Sequence, residues 1–461
     1  CHAIGAFHAS EYNDALIFTC DGKGDDSCHK SYLGKTNEKG QKKIKLLAKS
    51  KDIDSIGFFY SSITEFLGFR ALRHEGKITG LAAYGTKKYE NVVSPVILSH
   101  DGFTFKNNLI DNYENTSRLF LIFKFATQNI KFFWKNLLNN SALELRYYQY
   151  KLTNFISKNF KNESKENIAK YAQCTLENKV NDLVLNTLKV QNSDNICLSG
   201  GVFANVKLNQ TIYEKTKKNI FIMPGMDDGG LSIGAALHVY EEKSGLQAKE
   251  NFDDIYFGPK YADDEILSQL KKFNFKFEKI ENLEKKIASY LHEGFIIGRF
   301  NGSMEWGPRA LGNRSILGDP RRSDMKDILN LKIKRRESFR PFAPSILEEC
   351  VGDWFEITSD FDKSVPYMMK VYKFKSEKQH LIPAVCHVDG SGRLQSVNEK
   401  NNGRYYRLIK KFYELNNIPM LLNTSFNENE PIVRTVEEAL DCFIRTKMDI
   451  LVIEDFILER K

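Results

Sequence analysis

The sequence predicts an α/β protein of two domains, and three observations carry that expectation. At 461 residues the chain exceeds what one hydrophobic core usually serves, so two domains are expected, over about 1–245 and 251–461. The first half repeats one pattern, a short apolar strand running into Asp or Gly-Gly and then a helix, which is the grammar of a nucleotide-binding, doubly wound sheet. The second half sends a strand into a loop crowded with arginine, glycine and proline.

In the first domain, Ala15–Cys20 reads as a buried strand ending at Asp21, Gly22, Lys23 and Gly24. That puts Asp21 at the carboxyl end of a strand, where ligand crevices of α/β sheets form. Ile196–Leu198 leads into Ser199, Gly200 and Gly201 and then a helix over VFANVKLNQTIYEK; such a loop either cradles phosphate with its N–H groups or is a plain structural turn. A third unit over Asn219–Ala236 carries Asp227, Asp228 and Gly229. Between about 99 and 166 the chain turns aromatic and rich in Lys and Asn, a helical insertion that shapes a pocket or merely decorates the surface.

In the second domain, Ala262–Phe273 and Leu283–His292 have helical periodicity, and Phe295–Phe300 is a strand delivering FNGSMEWGPRALGNRSILGDPRR (Phe300–Arg322). There Arg309, Arg314, Arg321 and Arg322 sit among turn-forming residues, which suits a phosphate or carboxylate. Met325–Arg336 reads as a helix with Met325, Ile328, Leu329 and Ile333 inward and Lys332, Lys334, Arg335 and Arg336 on a solvated face. Arg340 precedes a proline and is held extended. His387, Asp389 and Arg393 surround a turn. Pro419–Leu422 is a strand ending in Asn423, Thr424, Ser425, Phe426 and Asn427, polar groups able to pair with a nucleotide, although such a turn is commonly structural.

Composition narrows the partners. Hydrophobic content of 42% and charged content of 27% are those of a soluble globular protein. The net charge of +8 supports small anionic substrates as readily as nucleic acid. The eight cysteines form no CxxC pairs, so reduced thiols and a cytoplasmic location are expected. Leu119–Trp134 is the most apolar stretch, but Lys124, Gln128, Asn129 and Lys131 break it well short of a bilayer span, so no membrane partner is expected. Cys1 stands where an initiator Met belongs, and the natural N-terminus is expected to lie upstream.

Four ordered motifs, GPRALGNRS, NLKIKRRESFRPFAPS (Asn330–Ser345), HVDGSGRLQ (His387–Gln395) and LLNTSFNENEPIV (Leu421–Val433), resemble the YrdC-like C-terminal domain of the NodU/CmcH-type O-carbamoyltransferases. HAIGAFHASEYNDALIFTCDGKGD, HEGKITGLAAYG (His74–Gly85), LSGGVFANVKLN and PGMDDGGLSIGAA are similar to the family's N-terminal domain, which has an actin-like, sugar-kinase-like fold of the ribonuclease H-like class. The resemblance implies that Arg309, Arg314, Arg393 and Ser425 do the chemistry that turns carbamoyl phosphate and ATP into carbamoyl adenylate. Arg340, His387, Asn423, Thr424 and Asn427 would contact substrate or nucleotide there, with Mg2+ accompanying ATP. In the first domain Gly22, Gly24, Ser199, Gly200, Gly201, Asn205 and Gly229 would serve the same role. It further implies a metal, Fe2+ or another divalent transition metal, on His2, Asp21 and Asp228, where the carbamoyl group passes to a hydroxyl of a sugar-like or natural-product acceptor. Without the family, His2 reads as a surface residue, and His8 and His29 have no assigned role.

The sequence also departs from the family. A metal histidine four residues before His2 and an acceptor-binding loop would lie upstream of Cys1, Ala83 replaces a usual proline, and Asp227 a usual glycine. A tRNA-modifying threonylcarbamoyl enzyme and a noncatalytic nucleotide-binding relative stay open as alternatives, nucleic acid is not the expected partner, and a homodimer stays open.

Overall fold

The computed structural model describes the chain except residues 25, 87, 88, 90, 91, 110–142, 247–251, 253, 274, 359–364 and 461. The apolar stretch Leu119–Trp134 and the middle of the expected insertion therefore lie outside the described residues. Two compact units are present, Cys1–Lys249 and Glu250–Lys461. Among the described residues no helix is long and apolar enough to cross a membrane.

Unit 1 runs α1 (His2–Ala9), β1 (Asp14–Gly24), β2 (Ser27–Thr36), β3 (Lys42–Ser50), α2 (Ile56–Phe66), α3 (Glu75–Ala82), a small hairpin β4 (Val96–Leu98) and β5 (Phe105–Asn107), α4 (Leu143–Asn159), α5 (Lys165–Val190), β6 (Asn195–Ser199), α6 (Val206–Thr216), β7 (Asn219–Ile222) and α7 (Leu231–Ser244). Its main sheet has the order β3-β2-β1-β6-β7. β1 and β2, and β2 and β3, pair antiparallel, while β6 lies parallel to β1 and β7 parallel to β6. That order and those directions are the ribonuclease H-like arrangement implied by the motifs. Ala15–Phe18 are all buried, a continuous apolar run because helices cover the sheet: α1 with α7, and α2 with α5.

Two local expectations change. β1 does not stop at Cys20: its register to β2 shifts between Cys20 and Gly24, a bulge that carries Asp21 and lets the strand continue to Gly24. The helix expected from Val202 starts only at Val206, because Asn205 caps it, accepting from Leu208 N at 3.1 Å; a 3₁₀ turn over Gly201–Ala204 precedes it.

Unit 2 runs α8 (Asp263–Lys272), β8 (Glu278–Lys279), α9 (Leu283–His292), β9 (Ile297–Phe300), β10 (Arg314–Gly318), α10 (Met325–Asp327), β11 (Ala343–Leu347), α11 (Val351–Trp354), β12 (Tyr372–Lys373), β13 (Ser391–Gly392), β14 (Gln395–Val397), α12 (Glu399–Asn416), β15 (Met420–Ser425), α13 (Val436–Arg445), β16 (Ile450–Ile453) and β17 (Phe456–Glu459). A mixed eight-stranded sheet in the order β14-β11-β15-β10-β9-β16-β17-β8 forms its frame. β10 is antiparallel to both neighbours, with Arg314 opposite Phe300 and Ser315 opposite Ser425. The arginine-rich loop and the loop after β15 therefore leave the sheet at the same end.

The expected helix Met325–Arg336 is corrected. Only Met325–Asp327 is α-helical, a π turn follows over Ile328–Ile333, and Arg335 has φ +42°. Lys334, read as solvated, is 1% exposed. Arg336, read the same way, is half-buried with its guanidinium 4.9 Å from the centre of the Phe342 ring.

Candidate functional site

In unit 1, His2 is the first residue of α1 and faces the bulged end of β1. Its Nε2 lies 3.2 Å from Asp21 Oδ2 and 3.7 Å from Asp228 Oδ1. One donor atom from each of the three residues falls within 4.8 Å of the others. An imidazole nitrogen with two carboxylate oxygens is a donor set that suits a first-row divalent metal. Ser199 Oγ sits 3.3 Å from His2 Nδ1 and fixes the ring from behind. Burial works to raise the pKa of Asp21, but hydrogen bonds from His2, Gly22 N and Gly201 N outweigh it and hold the carboxyl below its ordinary value.

Three of the glycine N–H groups expected at a phosphate are engaged within the turns themselves. Gly22 N donates to Asp21 Oδ1 at 2.7 Å, Gly200 N to Met226 O at 2.6 Å and Gly229 N to Asp227 Oδ1 at 3.0 Å. Gly200 has φ +102°, and a Cβ there would lie 2.3 Å from Cys20 O, so only glycine permits the turn. Gly24 is exposed at the hairpin end of β1. Asn205, besides capping α6, donates to Thr79 Oγ1 at 3.2 Å and Gln173 Oε1 at 2.9 Å, so its amide is spent internally. Asp227, the departure from the family's glycine, caps the turn that presents Asp228. His8 is not bland: its Nε2 lies 3.1 Å from Glu241, both side chains buried, and ties α1 to α7. His29 is buried between Ser50 and Ser31.

In unit 2 the four arginines of the loop divide. Arg314 is fully buried, its guanidinium 3.6 Å from the Phe300 ring centre; Nη1 donates to the carbonyls of Asn301, Gly302 and Asn313, and Nη2 to that of Pro259. It holds the loop and presents no face to a ligand, against expectation. Arg321 is paired with Asp319 and Arg322 with Asp324. Glu305, which sequence reasoning passed over, is 3% exposed and gathers the backbone N–H groups of Leu311, Asn313 and Arg314 on one oxygen. An acid inside an arginine-rich loop was the available signal.

Arg309, Arg336 and Arg340 lie near enough to Arg393 for their charges to act on it. Burial pushes Arg393 well down, and the charges of Arg309, Arg336 and Arg340 push it further. Burial and Arg340 lower Arg336 to about 9, so it stays charged at neutral pH. Burial lowers Arg340 too, with Glu337 the acid that offsets it. Burial and mutual repulsion both oppose the positive charge here, and an anion among these groups would relieve both. Lys334 flanks the cluster: its Nζ donates to Asn427 O at 2.8 Å, to Asn427 Oδ1 at 2.6 Å and to the Ser425 carbonyl, with Ser425 Oγ at 3.3 Å. Burial, then Arg336, depresses it far below an ordinary lysine.

His387 borders Arg393; its Nε2 is 3.2 Å from Phe342 O and burial lowers its pKa to about 4, so it is neutral. Asn423 is 1% exposed and donates to Ala310 O, Ser345 Oγ and Gln395 Oε1, which makes it a brace between strands, a correction to its expected role at the nucleotide. Thr424 is half-buried in β15 opposite Ile316. The structure thus brings together Arg309, Arg340 and Arg393, adds Arg336, fastens the Ser425–Asn427 loop beside them through Lys334, and turns Arg314 and Asn423 to internal bracing.

Comparison with known proteins divides the chain into the same two parts. Residues 1–237 match the family model described as carbamoyltransferase N-terminus, and residues 288–460 the one described as carbamoyltransferase C-terminus. The nodulation protein NolO of Bradyrhizobium diazoefficiens is 31% identical over 100% of this chain and 78% of its own length. Uncharacterized proteins of Synechocystis sp. and Methanocaldococcus jannaschii are each 34% identical over 100% of the chain, covering 75% and 73% of their own lengths. The solved full-length HypF in its phosphate- and nucleotide-bound form overlaps 40% of this chain and 22% of its own at 18% identity and a TM-score of 0.29, too loosely to place a fold or a ligand. On the two family matches and these full-chain relatives, the chain belongs to the carbamoyltransferase family.

Proposed function

We propose that this carbamoyltransferase makes carbamoyl adenylate from carbamoyl phosphate and ATP in unit 2, and transfers the carbamoyl group to a hydroxyl of a sugar-like or natural-product acceptor in unit 1. The observation that carries the reading is the Arg309, Arg336, Arg340 and Arg393 cluster with Lys334 beside it. Carbamoyl phosphate and ATP are both polyanions, and bringing them together is opposed by their own repulsion unless fixed cations offset it.

The atoms balance in three events. Water cleaves carbamoyl phosphate to carbamate and phosphate. A carbamate oxygen then attacks the α-phosphorus of ATP, which arrives with Mg2+, and the bond to the β,γ-pyrophosphate breaks. The acceptor oxygen finally attacks the carbamoyl carbon, the C–O bond to AMP breaks, and the hydroxyl proton leaves to a base. In the first two events the arginines hold phosphoryl oxygens bidentately, and Ser425 and Asn427 offer polar groups at the edge of the cluster. The neutral imidazole of His387, its Nε2 on the Phe342 carbonyl, borders the cluster without adding to the repulsion.

His2, Asp21 and Asp228 are the residues that would hold Fe2+ or a similar ion, whose chemistry when bound is to polarise carbamoyl or phosphate oxygens. Asp21, kept ionised by its N–H partners, and His2, oriented by Ser199, already have their donor atoms close together. All eight cysteines are free thiols, which supports a reducing, cytoplasmic setting. The test is exchange of labelled pyrophosphate into ATP: the reading expects exchange only when carbamoyl phosphate is added, and exchange that ignores carbamoyl phosphate would refute it.

A further inference from the structure

Lys334 and Arg336 should not both reach one pocket. Residues two apart on an α-helix point about 200° from each other, yet Lys334 is buried against Ser425 and Asn427 while Arg336 lies among the arginines. The residue between them resolves this. Arg335 comes just after Lys334, the C-cap of the π turn, and has φ +42°, a left-handed backbone that side-chain-bearing residues avoid. There the chain doubles back: Lys334 N donates to Leu329 O at 2.8 Å, five residues earlier, and Arg336 N to Asn330 O at 2.9 Å, six residues earlier.

Arg335 itself points away from the pocket. Its side chain is 61% exposed and Nη1 lies 3.1 Å from Glu428, whose own side chain is 10% exposed. Glu428 also meets Arg445 Nη1 at 2.7 Å. It stands next to Asn427, so the turn and the loop that clasps Lys334 are fastened to each other on the outside as well as within. A strained backbone that persists is one that its surroundings over-determine, and such strain gathers at functional sites.

We propose that Arg335 and Glu428 are positioning residues of the anion pocket: the left-handed turn at Arg335 seats Lys334 in the Ser425–Asn427 loop while turning Arg336 toward the arginine cluster, and Glu428 holds that turn against the same loop. This rests on the pocket reading above. The experiment measures KM and kcat for carbamoyl phosphate in pyrophosphate exchange with the full-length protein carrying Arg335→Asn, Arg335→Val or Glu428→Gln. Asn and Val both remove the ion pair, but Asn tolerates left-handed backbone and β-branched Val does not.

The expected result is a KM about ten-fold higher for Val than for Asn, the ratio that roughly 1.4 kcal/mol of misplacement produces. Glu428→Gln shifts KM in the same direction. A defect of folding alone would lower the active fraction, and so kcat, without moving KM. Equal KM values for Asn and Val overturn the proposal. If Val does not fold, Arg335→Leu makes the same comparison without the branch. Should Lys334→Met and Arg336→Leu leave KM unchanged, the pocket reading fails instead, which keeps the two failures apart.

Discussion

Arg309 and Arg314 stand five residues apart on one loop and have opposite fates. Arg314 donates to four carbonyls over the Phe300 ring, whereas Arg309 lies near enough to Arg393 for its charge to act on it. Arg314→Lys, which cannot span those acceptors or stack, is expected to cost about 3 kcal/mol of stability, read by chemical denaturation. Arg309→Ala should leave the melting temperature unchanged or raise it while exchange falls; the reverse pairing would show that the two roles were exchanged. Sequence could say that this loop binds through arginine, but which arginine faces inward depends on Phe300 and on the carbonyls of residues 259, 301, 302 and 313, and nothing local fixes that. His29 gives a separate test. Burial between two serines lowers its pKa to about 3, so the unfolded chain takes up a proton first. Stability is then complete above the ordinary histidine pKa and is lost as pH falls toward the folded value, by about 2 kcal/mol between pH 6.5 and 5. Denaturation of His29→Gln at both pH values should show a smaller difference; an equal one would place the loss elsewhere.

Among the elements, α1 and α7 decide whether the three candidate ligands of unit 1 meet. A Cβ at Gly234 would lie 2.0 Å from Cys1 O, and one at Gly5 3.4 Å from Gly234 Cα, so the helices touch through their glycines. At one end of the contact are His2 and Asp228, at the other His8 and Glu241. Gly234→Ala must push α1 away, with an expected loss of about 2 kcal/mol from overpacking and weaker Co2+ binding in a spectroscopic titration. Unchanged Co2+ affinity would detach helix packing from the site. The run PGMDDGGLSIGAA was legible as strand, turn and small-residue helix. The reason for its small residues was not, since their partner lies more than two hundred positions away. Similarly, apolar spacing over 325–336 reads as a helix, and only burial of Lys334 against the loop after β15 selects the π turn instead.

At the scale of the molecule, the two units and their α/β character followed from length and from strands ending in Asp or Gly, and the ordered motifs pointed to the segments that carry both candidate sites. What sequence could not supply was convergence. Arg309 comes from the loop between β9 and β10, Arg336 and Arg340 from the segment before β11, Arg393 from the turn before β14, and Lys334 reaches the loop after β15. Only the strand order of the eight-stranded sheet puts those ends together, with β11, β15, β10 and β9 side by side. Such pairing is non-local, and a one-dimensional reading that judged each basic residue by its neighbours assigned Lys334 and Arg336 to solvent. The convergence is also the claim most open to direct refutation. Steady-state formation of AMP from ATP, at varied carbamoyl phosphate, should show Arg393→Leu raising KM or abolishing turnover by about a hundred-fold, as loss of one buried charged contact implies, while the protein melts no lower than wild type. A variant that turns over carbamoyl phosphate like wild type would contradict the account.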